Sequence, residues 1–456
     1  MPFHLYRPGP RWARLAFGPA AAALFAACTE APTTPTEGPT APREPSALPA
    51  FSFTPSSNAV TLIGAGDIAG CAASFHDVET APLVLNELST NPNAIVFAAG
   101  DQVYPNGTTA EFQNCYTPTW GQPSIKSRTL LPVTGNHEYN TAGAAPYFDF
   151  FNGVGVDSGL AGKRGKGYYS FEASPYWHVV VLNSNSSKVS TAAGSVQEKW
   201  LKADLASSRA AGKCVLAIMH HPRFWSYNNA TAPTMPYLPF WVDLYNTGAD
   251  LVLVGHQHFY ERFAPLTPMG LADNTYGIRQ IIIGTGGVSI STPKSRKLNS
   301  EVLNGTTFGV LRLILDVGQY YWKFVPAGTG TWTDEPDGQT AVPCHGKPPA
   351  NVKPVAGFIT DGGNYTCANL TCTFISNAPA PAERSFDPDP PTNPPATQEG
   401  LFAWKWTFGD GRTSKSQNKT ITYASAGTYT VKLTVTDGRS ATATKSHVVT
   451  VSAGGP

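Results

Sequence analysis

Apolar and polar positions follow two different rhythms along this chain, and the change falls near residue 355. Before it, short runs that are apolar throughout end in small residues and then in an acid, an amide or a histidine. Ala59 to Asp67 reads AVTLIGAGD, Asn93 to Asp101 reads NAIVFAAGD 34 residues later, and Thr129 to Glu138 reads TLLPVTGNHE. Cys214 to Pro222 (CVLAIMHHP) and Leu251 to Arg262 (LVLVGHQHFYER) repeat the design. Continuous apolar runs of this length are what strands buried on both faces show. Between the first two, Val84, Leu85 and Leu88 recur at helical spacing within Val78 to Ser89. Strand, helix and strand make a βαβ unit, whose ligands gather at the carboxyl ends of the strands. Tyr168 to Phe171, Trp177 to Leu182, Ile281 to Ile283 and Val310 to Leu315 read as further strands, with His178 as a packed core residue. Ser195 to Ala211 reads as an amphipathic helix with Trp200, Leu201 and Leu205 on its apolar side; Ser195 and Glu198 have capping-box spacing.

Glycine and proline dominate from Pro326 to Pro354, and from Val355 the pattern becomes short alternating strands. Tyr429, Val431, Leu433 and Val435 share one face, as an antiparallel sandwich requires, and Phe402 to Gly411 is a strand ending in an Asp-Gly turn. Trp406 to Gly411 (WTFGDG), Tyr423, Gly427 to Val431 (GTYTV) and Leu433 to Asp437 (LTVTD) resemble, in order, the polycystic-kidney-disease (PKD) module. That resemblance implies an immunoglobulin-like β-sandwich serving as a spacer or as a glycan- or protein-binding module.

The length of 456 residues suits two domains, and 32 Lys plus Arg against 31 Asp plus Glu leave no global field to attract nucleic acid. Arg7, Arg11 and Arg14 precede an apolar run from Leu15 to Ala27 that is too short to span a bilayer, so residues 1–28 read as a signal peptide. Leu24 to Cys28 also resembles a bacterial lipobox, which makes Cys28 the candidate lipidation site, the only membrane attachment expected. Residues 29–58 read as a Pro- and Thr-rich linker, in which Thr29 to about Ala50 forms an extended tether of roughly 70 Å at most. The protein is therefore expected to be secreted or held at the cell envelope. Six further cysteines favour disulfides in an exported chain, with 15 pairings open. We expect Cys367 with Cys372, Cys71 with Cys115, and Cys214 with Cys344.

In a strand, residues two apart face one side, so His256 and His258 are expected to aim at one place. Alone, the pair is better read as two surface histidines. Together with Asp67, Asp101, Asn136 and His220 at other strand ends, it makes three imidazoles and three oxygen donors at one sheet edge, enough for two metals. Gly66-Asp67, Gly100 to Tyr104 (GDQVY), Gly135 to Glu138 (GNHE), His220 and Gly255 to Arg262 (GHQHFYER) resemble the ordered motifs of the calcineurin-like metallophosphoesterases. The expected fold is then α/β, a metallophosphoesterase β-sandwich flanked by helices (αββα) over residues 59–325, a linker over 326–352 and an all-β PKD sandwich over 353–453.

The usual Asp-x-His of the first motif is missing, since Ile68 and Ala69 follow Asp67, while Tyr104 stands three residues after Asp101 as in purple acid phosphatases. The resemblance implies that Asp67, Tyr104 and His258 hold one metal and Asn136, His220 and His256 the other, with Asp101 bridging. The implied pair is ferric iron with zinc, manganese or ferrous iron. It implies a phosphate monoester substrate attacked by a metal-activated hydroxide, His137 as the catalytic proton donor or phosphate holder, and His221 behind the ligand His220. Lys163, Arg164 and Lys166 read as a solvated loop. Phosphodiester hydrolysis on the same core is the nearest rival, and a non-catalytic cell-surface binding protein is the reading from another class.

Overall fold

The computed structural model describes residues 53–227, 237–379, 383–389 and 400–454. The leader, Cys28 and the tether up to residue 52 lie outside them. Among the described residues no helix is long and apolar enough to cross a membrane.

The apolar runs become the centres of two facing sheets. The first has six strands in the order Val342–Pro343, Gln319–Pro326, Gly309–Asp316, Val60–Ala65, Ile95–Ala98, Thr129–Pro132. The second has seven, ordered Ser300–Asn304, Tyr260–Phe263, Arg279–Ile283, Leu251–Val254, Cys214–Ile218, Trp177–Val181, Tyr169–Ser174. The four central strands of the second sheet are parallel, and its edges are antiparallel. Alternation along these strands assigns each residue a layer. Val179, Val181, Leu216, Ile218, Leu251 and Leu253 share a core with Leu62, Val96, Leu131 and Leu313 of the first sheet. The residues between them, Val180, Val215, Ala217, Val252 and Val254, pack instead with Leu201, Leu205, Phe240 and Trp241 of helices Val196–Ala210 and Leu238–Thr247. Helix Asp77–Thr90 contacts the strands Val60–Ala65 and Gly309–Asp316 of the first sheet. Helix, sheet, sheet and helix are the expected layers, and each fully buried aliphatic side chain contributes about 1.5–3 kcal/mol.

Several elements were not legible. Tyr260–Phe263 is a fully buried strand although it reads Tyr-Glu-Arg-Phe. Glu261 accepts the Ser226 N–H at 2.9 Å, and the Arg262 Nε lies 2.8 Å from Asp334, so the charges are paired where they are buried. The Gly- and Pro-rich stretch after Pro326 is irregular but attached: Asp334 accepts from Tyr260 Oη (2.6 Å) and Trp322 Nε1 (3.0 Å), Val342 pairs with Tyr320, and Cys344 is bonded to Cys214. The first domain therefore extends through Cys344, beyond the expected boundary at 325. The Ser195 hydroxyl caps its helix by accepting from Glu198 N at 3.2 Å, but the reciprocal half of the box is absent. Ser195 N–H is already taken by the Ala192 carbonyl at 3.0 Å, and the Glu198 carboxylate accepts from Gly194 N instead. His178 is a core residue as expected, held between Glu172 (2.9 Å) and Asp204 (2.6 Å).

The other disulfides join Cys71 to Cys115 and Cys367 to Cys372. From Ile359 onward a three-stranded and a five-stranded sheet enclose Phe358, Phe374, Trp406, Phe408, Val431, Leu433 and Val435. Tyr429 is only half-buried and leans on Tyr423, their rings 4.0 Å apart. This sandwich meets the first domain at the end of helix Leu238–Thr247, where Arg439 Nε donates to Asn246 Oδ1 at 2.8 Å and its guanidinium lies over the Tyr245 ring.

Candidate metal centre

Apart from Tyr104, which lies in the short strand Val103–Tyr104, each candidate ligand sits past the carboxyl end of a strand: Asp67 after Val60–Ala65, Asp101 after Ile95–Ala98, Asn136 after Thr129–Pro132, His220 after Cys214–Ile218, and His256 and His258 after Leu251–Val254. Three of them turn left-handed, Asp67 at φ 60°, Asp101 at φ 50° and His256 at φ 68°. A non-glycine residue held there costs on the order of 1–3 kcal/mol and persists only where its surroundings fix it. The glycines before these residues admit the close approach that results. A Cβ on Gly255 would stand 2.7 Å from Asp67 Oδ2, and one on Gly135 would overlap Asp101 Oδ1.

Left-handed His256 also changes why the histidine pair lies here. The strand ends at Val254, so strand alternation no longer applies, and the two rings serve different sides. His258 Nε2 lies 3.2 Å from the Tyr104 hydroxyl and 3.4 Å from Asp67 Oδ1. His256 instead lies beside His220, edge-on, and His221, tilted, with ring centroids 5.1 and 4.3 Å away. The expectation of a single common target is thus corrected to two neighbouring ones.

Tyr104 Oη donates to Asp67 Oδ1 (2.8 Å) or Asp101 Oδ2 (3.1 Å). On the far side of Asp101, His220 Nε2 is 3.2 Å from Asp101 Oδ2 and 3.1 Å from Asn136 Oδ1. Asp101 thus stands between a phenol-and-carboxylate group and an imidazole-and-amide group. Donor atoms of Asp67, Asp101 and His220 lie within 4.8 Å of one another, as do those of His220, His221 and His256. His220 Nδ1 is 2.9 Å from the Ala99 carbonyl and His258 Nδ1 is 3.1 Å from that of Ser289. A carbonyl can only accept, so each neutral ring keeps its N–H there and turns the Nε2 lone pair inward.

The charges follow from this arrangement. Burial would raise the Asp101 carboxyl, but His220 and then His137 hold it below the usual carboxylate range. His220 is pushed up to about 9, against burial, by Asp101 and Asp67. Tyr104 is pushed well up by burial and by the two carboxylates. Burial, helped by His220, takes His256 down to about 4 and His221 down to about 2.

His137 keeps its N–H on Nδ1, which donates to the Pro105 carbonyl at 2.6 Å; its ring packs on Tyr104 (4.1 Å) and its Nε2 lies 3.9 Å from Asp101 Oδ2. His221 joins the cluster through its contact with His256. Glu138 has a role that the spacing of its motif did not define. Its fully buried carboxylate accepts N–H groups from Gly135 (2.7 Å), Gln102 (2.8 Å) and Asp101 (3.1 Å), tying the Asp101 and Asn136 loops together. Burial and Asp101 push it up to about 8. Lys163 is engaged by Asp157 of its own loop and Arg164 by Asp149 of the helix Ala145–Asn152.

Residues 61–260 match the calcineurin-like phosphoesterase family, and residues 394–451 match the PKD domain. Over those residues the chain is thus similar to the calcineurin-like phosphoesterases, and its C-terminal side is similar to a PKD domain. An uncharacterized protein of Mycobacterium tuberculosis is 29% identical over 199 residues, 37% of this chain and 37% of that protein. Purple acid phosphatase 15 of Arabidopsis thaliana is 26% identical over 317 residues, covering 62% of this chain and 55% of its own. The chain thus spans less than two thirds of the length of these relatives. A purple acid phosphatase from yellow lupin seeds is similar in structure at a TM-score of 0.46, with 18% identity, covering 60% of this chain and 52% of its own.

Proposed function

We propose that this chain is a dimetal phosphatase of the purple acid phosphatase type that hydrolyses phosphate monoesters. One observation carries the reading: acceptors meet acceptors, with too few protons between them. The Tyr104 hydroxyl has one hydrogen and faces Asp67 Oδ1, Asp101 Oδ2 and the inward lone pair of His258. Across Asp101, His220 Nε2 faces Asn136 Oδ1 and Asp101 Oδ2, so without a cation the ring must take up a proton to pair with them, the direction in which it is raised. Two cations fit that deficit. Asp67, Tyr104 and His258 would hold the first and Asn136, His220 and His256 the second, with Asp101 shared. Phenolate and carboxylate suit ferric iron, while the nitrogen-rich side suits zinc, manganese or ferrous iron.

When bound, such a pair supplies Lewis-acid charge to phosphoryl oxygens and acidifies a water. The chain's own groups do the rest. Glu138 fixes the two loops that carry Asp101 and Asn136, and the carbonyls of Ala99 and Ser289 fix the tautomers of His220 and His258. His137, with Nδ1 committed to Pro105, offers Nε2 to the leaving oxygen and delivers a proton there when the ring is charged. We read the protein as exported on its basic and apolar leader, anchored through Cys28, with the PKD module contacting glycan or protein.

The test is metal analysis combined with two variants. Two cations per chain are expected, fewer than one rejects the reading, and Asp101→Ala should abolish hydrolysis of a chromogenic phosphomonoester. If the first cation is ferric, a visible charge-transfer band should disappear in Tyr104→Phe.

A further inference from the structure

We propose that His221 presents a neutral Nε2–H to a phosphoryl oxygen of the substrate, making it a direct substrate contact and not another ligand for a cation. The proposal rests on the phosphatase reading above and adds a recognition group to that site.

Ser184 sets the tautomer of the His221 ring. This residue is fully buried, and its Oγ has two partners among the described residues. It accepts the backbone N–H of His221 at 2.9 Å and lies 2.8 Å from His221 Nδ1. A serine hydroxyl has one proton to donate and two lone pairs. The backbone N–H fills a lone pair, so the proton goes to the one acceptor in reach, which is Nδ1. Burying it unpaired would be unfavourable. Nδ1 therefore accepts, and the single N–H of the neutral ring is on Nε2.

That tautomer is the reverse of the one set at His220 and His258, where a backbone carbonyl demands the proton on Nδ1. The reversal changes what the ring can do. Nδ1 is turned to Ser184 and Nε2 carries hydrogen, so neither nitrogen has a lone pair for a cation. Nε2 has no hydrogen-bond partner among the described residues, while the ring packs at 4.3 Å on His256 and 4.9 Å on His220. A ligand atom of His221 lies within 4.8 Å of those of His220 and His256, so a free N–H on this ring would stand beside anionic oxygens drawn to the centre, and a fixed donor there strengthens as charge builds on them. His137 needs an extra proton to donate from Nε2. His221 does not.

The experiment uses the full chain loaded with zinc and labelled with ¹⁵N in its imidazoles. Correlation spectra should place the proton of His221 on Nε2 and those of His220 and His258 on Nδ1. Inorganic phosphate should then shift the His221 signal. His221→Ala should keep both zinc ions and weaken phosphate binding about 10- to 100-fold, the size of one hydrogen bond to a charged group. His221→Gln, which offers an amide N–H, should recover most of that loss. A proton on Nδ1 of His221, a signal unmoved by phosphate, or loss of one zinc in His221→Ala would overturn the proposal while leaving the phosphatase reading intact. Fewer than two zinc ions in the unaltered protein would instead reject that reading, and the proposal with it.

Discussion

Asp101 in the first domain and Asp437 in the second are buried to the same degree, each 1% exposed, yet they are satisfied in opposite ways. Asp437 accepts N–H groups from Arg439 and Ala441, both at 2.8 Å, and the Asn351 amide at 3.0 Å. It closes its own turn. Asp101 takes the His137 N–H at 2.8 Å and otherwise faces Tyr104, three residues on, and His220, brought from another strand end. Burial of an acid is thus no sign of chemistry in itself. The sign is whether its partners are amide donors that complete it or phenol and imidazole groups that other acceptors also claim.

The strongest way to break this contrast is to remove each carboxylate. Asp101→Ala should lower turnover of a phosphomonoester by at least about 10²–10³-fold, the size of losing one preorganised charge partner, while circular dichroism stays unchanged. Normal kcat in that variant would put Asp101 in the same class as Asp437. Next in size, stripping the cations with a chelator should lower the melting transition of the first domain by the linkage of binding to folding, about 4 kcal/mol at a thousandfold excess over Kd. The PKD transition should not move, and equal shifts in calorimetry would count against a site confined to the first domain. Asp437→Ala should destabilise the PKD sandwich by about 1–3 kcal/mol, the range for leaving buried N–H groups unpaired. Its kcat/KM should match that of the unaltered protein.

The smallest effect tests a histidine of the first domain that behaves like Asp437. Burial would lower His178, but Asp204 and then Glu172 hold it above its ordinary value. A raised folded value means that its stabilisation is complete below about pH 6.5 and is lost as pH rises through the folded value. His178→Gln should therefore cost more stability in urea at pH 5.5 than at pH 9. An equal cost at both would remove the charge from the account.

Much of the centre was legible because every proposed ligand but Tyr104 and His258 follows an apolar run within a few residues, and the run fixes the strand end. The division of labour between His256 and His258 was not, since alternation says nothing once a residue turns left-handed. The strand Tyr260–Phe263 was hidden because its buried charges find partners at Ser226, Asp334 and Glu301, far along the chain. The stretch after Pro326 shows that composition reports irregular backbone and not detachment. Ser184 left no sequence signal either: 37 residues separate it from the ring whose tautomer it sets.

Helix Leu238–Thr247 spans ten residues, about 15 Å. The Tyr237 ring before it lies 5.9 Å from that of His221, and Asn246 near its end is gripped by Arg439 of the PKD sandwich. Mechanical load applied to that outer module has a short route to the wall of the candidate metal centre, so tethering it to a surface sets a boundary condition on the pocket itself.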